Sequence, residues 1–394
     1  MKKPIFETVR LDKIVGGGQA LGVLGDGKKV FVWGGLPVEL VKIEITKNKS
    51  RHAEGIVTKV IESAEQRIAP RDDCYLSTSP WQIMDYDFEL AQKADLVQQA
   101  FAMQGIENLP SKPIVTDGAE YFYRNKMEYS LWWDNDSEQI SLAFHRRGSH
   151  QKVPIIGSSI ERPEILREAR RIVDELNARG EQARRYQSLV VRCNQSGKVS
   201  SALFENGKPH PLMQKLSDEL LGRTYTYSPN GFFQINLPLY EMALRDIARH
   251  LGDAEKVVDM YAGVGTIGLS VARERSLTLV ETNTSCFQEM SKNIPVGAHN
   301  ITPVCSKSEE ALEYITNNAC VIVDPPRAGL DSAVTQKLAD AAPPTIIYLS
   351  CNPVTQARDI AKLLPKYKVS HAQGFNFFPR TPHIENLVVL NKVV

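Results

Sequence analysis

The sequence has 394 residues, more than one ordinary core accommodates, so two or three domains are expected. Hydrophobic residues make up 42% and charged residues 24%, a globular composition, and no apolar run reaches the ~18 residues of a membrane span. The net charge of +1 argues against a surface coated throughout with phosphate contacts but leaves local basic patches open. The start, MKKPIFETVR, has two lysines and no apolar stretch of the kind a signal peptide carries. Six cysteines, at 74, 193, 286, 305, 320 and 351, form no disulfide or zinc spacing, so no metal site is expected and a reducing cytoplasm fits best.

Residues 1–62 read as all-β. The runs KKVFVWG, VELVKIEITK and AEGIVTKVIES are rich in strand formers, and glycine clusters separate them as in a small barrel. AEQRIAPRDDC breaks the pattern and places a boundary near residue 63. A helix is predicted over 87–104, with Leu90, Ala94, Val97 and Phe101 at helical spacing; it is a candidate to pack on the C-terminal domain. Strands are predicted within 119–160, a helix over 163–179 beginning near Pro163 and stopping at Gly180, and strands at 187–192 and 199–204. Residues 63–229 therefore form a mixed α+β central domain. From 230 to 394 the runs KVVDMYAG, LTLVET, ACVIVDPP and TIIYLSCNP alternate with helical stretches. That is the rhythm of an α/β fold with a doubly wound parallel sheet. The last strand, ENLVVLNKV, follows a short loop and is expected to be antiparallel.

Chemistry-bearing residues collect at the ends of these C-terminal strands. Asp259-Met-Tyr261-Ala-Gly263-Val-Gly265 joins a strand to a helix. Its glycines let backbone approach a ligand, and the helix N-terminus favours an anion. The third glycine of a dinucleotide fingerprint is missing. Glu281 ends the next strand, where an acid can accept hydrogen bonds from ribose hydroxyls. Later strands end in Asp324-Pro-Pro-Arg327, Ser350-Cys351-Asn352-Pro353 and His383-Ile-Glu385. A cysteine and a separate carboxylate suit one reaction in particular. C5 of uracil is a poor nucleophile until a thiolate adds to C6; C5 can then take a methyl group, and a base must remove the C5 proton before the thiolate leaves. Arg327 is placed to lower the thiol pKa. Residue types alone also allow a buried structural cysteine and a surface glutamate.

Taken together these motifs resemble the RNA uridine-C5 methyltransferases, enzymes of the class I S-adenosylmethionine-dependent fold. The resemblance rests on SCNP at 350–353, DPPR at 324–327, HIENLV at 383–388 and Phe232-Phe233-Gln234-Ile235-Asn236, and it covers nearly the whole chain. It implies Cys351 as nucleophile and Glu385 as base, with Gln234, Tyr261, Gly263, Gly265, Glu281 and Asp324 around S-adenosylmethionine. It implies a Rossmann-like catalytic sheet in 230–394. Residues 1–62 resemble a TRAM domain, an OB-like RNA-binding barrel. Many relatives hold an iron–sulfur cluster on a C-x5-C-G-G-C run and a distant cysteine. Here Cys74 is followed by Ser77 and Ser79, and Ser158 and Ser159 stand at the distant position; such a cluster needs four thiolates, so none is expected.

The partner implied is RNA, with 23S rRNA favoured by the TRAM-like barrel and the tRNA T-loop uridine as the alternative. Phe232 and Arg327 are candidate substrate contacts beside the cofactor, with core packing expected for at least one of Phe232 and Phe233. Arg124, Arg146 and Arg147, with Lys126 and Lys152, are candidates for a phosphate patch interleaved with Tyr121, Phe122, Tyr123 and Phe144. No membrane partner is expected, and a monomer is the default. A catalytically inactive RNA-binding or RNA-folding protein is the rival of a different class.

Overall fold

The computed structural model describes residues 4–393. Five strands close an N-terminal barrel: β1 (Phe6–Ile14), β2 (Ala20–Val23), β3 (Lys29–Trp33), β4 (Leu40–Asn48) and β5 (His52–Glu62), in the order β1-β2-β3-β5-β4. Alternation along the strands sends Val9, Leu11, Val30, Val32, Val41 and Ile43 inward to one core. The parallel β3–β5 pair completes the ring, so every strand edge is paired.

Two helices follow, the single turn α1 (Tyr75–Thr78) and the long α2 (Tyr86–Ala102). Asp85 caps α2 by accepting from Phe88 N at 2.8 Å. The central sheet contains β6 (Lys126–Asp134), β7 (Gln139–His145), β8 (Lys152–Pro154), β9 (Ser188–Cys193), β10 (Val199–Glu205) and β11 (Lys208–His210), ordered β11-β10-β9-β6-β7-β8. One face is covered by α3 (Pro163–Ala178), whose Ile165, Ala169, Ile172 and Leu176 pack on Met127, Tyr129, Leu189 and Val191. Pro163 opens the helix and Gly180, at φ +66°, lies just beyond it.

The C-terminal α/β unit comprises α4 (Leu237–Arg249), β14 (Lys256–Asp259), α5 (Thr266–Val271), β15 (Ser276–Glu281), α6 (Thr284–Asn293), β16 (Ile301–Cys305), β17 (Ala319–Val323), α7 (Ser332–Ala341), β18 (Thr345–Ser350), α8 (Pro353–Leu363), β19 (Tyr367–Phe375) and β20 (Glu385–Lys392), preceded by a hairpin of β12 (Leu216–Leu220) and β13 (Arg223–Tyr227). The seven-stranded sheet runs β16-β15-β14-β17-β18-β20-β19. Its first five strands are parallel, and β20 is antiparallel to both β18 and β19. The strand order reverses beside β14, which pairs β15 on one side and β17 on the other. Crevices at such switch points are where open α/β sheets hold ligands.

Packing crosses the division at residue 229. Val97, Ala100 and Phe101 of α2 share a core with Val321, Ile346 and Val388, and Tyr225 and Tyr227 of the hairpin share one with Ile322 and Ile347. The stretch 121–125, expected as strand, is an irregular strap ahead of β6, because Phe122 turns the backbone to φ +57°. The edge strands β16 and β19 were not anticipated. Edge strands carry a weaker hydrophobic signal than the central runs, which are buried on both faces.

Candidate active site

Strand register brings the C-terminal motifs together. Ser350 at the end of β18 faces Asn386 of β20, so Cys351 and Glu385 continue the two strands past the same ladder rung. Val323 of β17 pairs Tyr348, which carries Asp324 to the same edge. The turn after Cys351 is rigid. Asn352 Nδ2 donates to the Arg327 carbonyl at 2.9 Å, Thr355 Oγ1 donates to the same oxygen at 3.2 Å, and Asn352 N donates to Ser350 Oγ at 3.1 Å. Asn352 also caps α8, where Pro353 occupies the first turn. The DPPR and SCNP turns are thus bonded to each other, and neither can shift alone.

The charges at this edge interact. Burial pushes the Cys351 thiol up to about 11, the carboxyls of Glu385 and Asp324 push the same way, and Arg327 pulls it down through its charge and a hydrogen bond. The cation is where the sequence suggested, but its effect is outweighed, so the resting thiol is protonated. Burial raises Glu385 well above the carboxylate range, Asp324 adds to this and Arg327 opposes it. Asp324 is itself raised by desolvation and by Asp259. Two carboxyls and a thiol crowded together each disfavour the others' ionisation.

The cofactor corner lies at β14 and β15. Glu281 accepts from Gly263 N at 2.8 Å and from Asn283 N at 2.6 Å, tying the glycine turn to the neighbouring strand end. Gly265 sits at φ +87°, and a Cβ there would lie 2.8 Å from Leu269 Cδ1, so only glycine fits. A Cβ at Gly263 meets nothing within 4 Å, which leaves open space beside the turn. Gln234 and Asn236 are buried, and Asn236 Oδ1 has no partner while its Nδ2 donates to the Phe377 carbonyl at 3.1 Å. An orphaned acceptor and an open glycine turn fit a ligand with ammonium and hydroxyl donors. Tyr261 is half-buried against the second core cluster.

The candidate RNA contacts divide. Phe232 is 70% exposed, whereas Phe233 is buried and stacks on Tyr227 at 3.9 Å. Arg124 is half-buried and donates to the Lys126 carbonyl at 2.9 Å. Arg147 lies over the Trp33 ring at 4.2 Å and bonds the Leu76 carbonyl, and Arg146 reaches Glu44 at 3.4 Å. These last two tie the barrel to the central sheet, so part of the expected patch is structural. At Cys74 the residues do not fit an iron–sulfur cluster. Asp72 Oδ2 accepts from Ser158 Oγ at 3.0 Å, Ser159 N at 2.8 Å and Gln82 Nε2 at 3.0 Å, while the thiol meets Gly157 O at 3.5 Å. One thiol among hydroxyls supplies a quarter of the ligands required.

Sequence reasoning gave no role to the groups that hold the Glu385 segment. Lys93 and Glu89 of α2 are fully buried and 2.9 Å apart. Lys93 Nζ donates to Asn376 Oδ1 at 2.5 Å and to the Phe378 carbonyl at 3.0 Å, and Glu89 accepts from Arg380 N at 3.0 Å. A Glu and a Lys four apart on a helix usually form a solvated pair, so the pattern carried no warning. Desolvation, then the charges of Arg327, Lys93, Arg147 and Arg124, press His383 toward its neutral form.

Comparison with known proteins finds likenesses along nearly the whole chain. Residues 311–393, which include Asp324, Cys351 and Glu385, match the family model described as tRNA (Uracil-5-)-methyltransferase. A protein of Thermosynechococcus vestitus named an uncharacterized RNA methyltransferase is 28% identical over 446 residues, covering 97% of each chain. One of Treponema denticola with the same description is 27% identical, covering 98% of this chain and 99% of its own. The chain is thus similar to the tRNA (uracil-5-)-methyltransferases over residues 311–393 and to RNA methyltransferases along nearly its whole length. The open space beside Gly263 suits S-adenosylmethionine as methyl donor. The fold also matches the crystal structure of the Pyrococcus abyssi tRNA (uracil-54, C5)-methyltransferase in complex with S-adenosyl-L-homocysteine, with TM-score 0.75 and 20% identity, covering 97% of this chain and 100% of that one.

Proposed function

We propose that this RNA methyltransferase places a methyl group on C5 of a uridine through a covalent adduct at Cys351. The observation that carries the reading is the register that sets a thiol and a buried carboxyl side by side at the same end of the sheet as the glycine turn. When bound, S-adenosylmethionine supplies an electrophilic methyl group and a positive charge. Cys351 Sγ loses its proton to solvent as the substrate enters, the thiolate bonds C6 of the ring, and electron density moves to C5. C5 would then take the methyl group as the donor's sulfur–methyl bond breaks, leaving the donor a neutral thioether. Glu385, as carboxylate, then takes the C5 proton, the C5–C6 double bond re-forms, and the C6–S bond breaks to return the thiolate. Gln234, Tyr261, Gly263, Gly265, Glu281 and Asp324 surround the donor; Phe232 and Arg327 face the RNA.

The RNA has two readings. The barrel of residues 6–62 and its TRAM-like sequence favour 23S rRNA. The full-length likeness to a tRNA-modifying structure favours the T-loop of tRNA. Nucleoside mass spectrometry of both RNAs after incubation with the protein separates them.

The mechanism has a direct trap. RNA carrying 5-fluorouridine should form a complex that survives denaturation, because fluorine cannot leave as a cation. Cys351→Ala should form none, and Glu385→Gln should still form it. With ordinary RNA, Glu385→Gln should accumulate the methylated adduct. Full turnover by Cys351→Ala would sink the mechanism.

A further inference from the structure

The strap at 121–125 carries four rings or cations whose fates differ. Tyr121 is covered by Arg71, whose guanidinium lies 4.1 Å from the ring centroid. Tyr123 is buried and donates to the Pro379 carbonyl at 3.0 Å. Arg124 folds back on the Lys126 carbonyl. Phe122 alone points away: it is 53% exposed and sits at φ +57°. A bulky aromatic residue in the left-handed region is strained, and strain of this sort persists where surrounding structure imposes it, commonly at ligand sites. The surroundings do impose it. Phe122 N donates to the Ser159 carbonyl at 2.9 Å, and Arg124 N donates to the Ile160 carbonyl at 2.9 Å, so the strap is pinned on both sides of the ring.

The strap also touches both loops that frame the active site. Tyr123 reaches the segment leading to Glu385. Asn125 Nδ2 donates to the Gln234 carbonyl at 3.1 Å, and Lys126 Nζ to the Asn230 carbonyl at 3.0 Å, on the loop bearing exposed Phe232. Two solvent-facing phenyl rings, Phe122 and Phe232, therefore stand on bonded neighbours, with Arg124 and Lys126 next along the chain from the first and Arg71 over the adjoining Tyr121. Aromatic faces among cations suit a strand of bases and phosphates better than an apolar peptide.

We propose that Phe122 is a stacking platform for an unpaired RNA base flanking the target uridine. The proposal rests on the reading of the chain as an RNA-modifying enzyme. The ring's strained, pinned presentation gives binding rigidity rather than stability. The test uses the full-length protein, filter binding to a mixed-sequence single-stranded oligoribonucleotide, and thermal melting. Phe122→Ala should weaken RNA binding about tenfold, the worth of one stacked base, without lowering Tm, and Phe122→Trp should bind like wild type. Phe122→Gly should raise Tm while binding as poorly as Phe122→Ala, because relief of the backbone strain separates stability from recognition. Unchanged RNA binding in Phe122→Ala, or a fall in its Tm that tracks the loss, overturns the proposal alone. A wild-type protein that binds no RNA overturns the substrate reading and the proposal with it.

Discussion

Cys351 is held back at rest. Burial and two neighbouring carboxyls raise its thiol to about 11, and Arg327 works the other way. The thiol therefore has a lower thiolate fraction at neutral pH than free cysteine, whose pKa is near 8.5. This suits a nucleophile that should react with a bound pyrimidine and not with passing electrophiles. The signs can be checked by alkylating the protein with iodoacetamide near pH 8 and following the Cys351 peptide by mass spectrometry. Arg327→Met removes the lowering influence and should slow alkylation several-fold. Glu385→Gln removes a raising influence and should speed it. Equal rates in wild type and both variants would show that the thiol does not sense these charges.

Elements are joined by a few buried polar contacts at their ends. Helix α2 enters the catalytic core and grips the 376–380 loop through Lys93 and Glu89, which sets the path of the chain into Glu385. Losing one partner of such a buried pair costs about 3–5 kcal/mol, because the other charge is stranded. At the far side of the sheet, His371 of β19 meets Asp246 of α4 at 2.8 Å. His250, at the end of α4, brings a third ligand atom to within 4.8 Å of both, yet its Nδ1 already donates to the Asp246 carbonyl at 2.8 Å. Burial would raise Asp246, but the hydrogen bond and charge of His371, with His250 and Arg249, hold it below the ordinary carboxylate range. A depressed carboxylate contributes stability that is present above the unfolded pKa of about 4 and lost as pH falls through the folded value. Wild type should therefore lose more stability than Asp246→Asn between about pH 5 and pH 3, by on the order of 1.5–3 kcal/mol, the worth of a hydrogen bond to a charged group. Urea melts across that range measure it; parallel curves would show that the pair contributes nothing.

In the whole molecule the barrel is wedged against the catalytic segment. Gly18, in the turn between β1 and β2, lies against Pro382, one residue from His383. A Cβ added there would sit 2.1 Å from Pro382 Cβ, and the Gly18 carbonyl accepts from Trp81 Nε1 at 3.0 Å. Gly17 has a similar backbone, φ +96° against +89°, but a Cβ there meets nothing. The pair isolates contact from conformation. Gly17→Ala should show only the left-handed penalty of about 1–2 kcal/mol. Gly18→Ala should show that penalty and also displace Pro382, lowering the methylation rate by at least tenfold beyond the control. Equal rates in the two variants would mean that the barrel does not position the catalytic segment.

Much was legible in the residues themselves. Apolar runs ending in Asp259, Glu281, Asp324 and Cys351 announced a doubly wound sheet with its chemistry at one edge, because buried parallel strands need continuous apolar runs and their ends are where turns can present side chains. The barrel was legible from strand formers between glycines. Side-chain fate was not. Phe232 and Phe233 are identical neighbours, and only packing against Tyr227 decides which is core. Arg146 and Arg147 read as phosphate ligands until Glu44 and Trp33 of the barrel claimed them. The strained turn at Phe122, the burial of Lys93 and the raised Cys351 thiol all depend on segments far apart in the chain. Local pattern therefore sets which elements form and what chemistry they carry. Burial and charge are sums over neighbours that only the folded chain brings together.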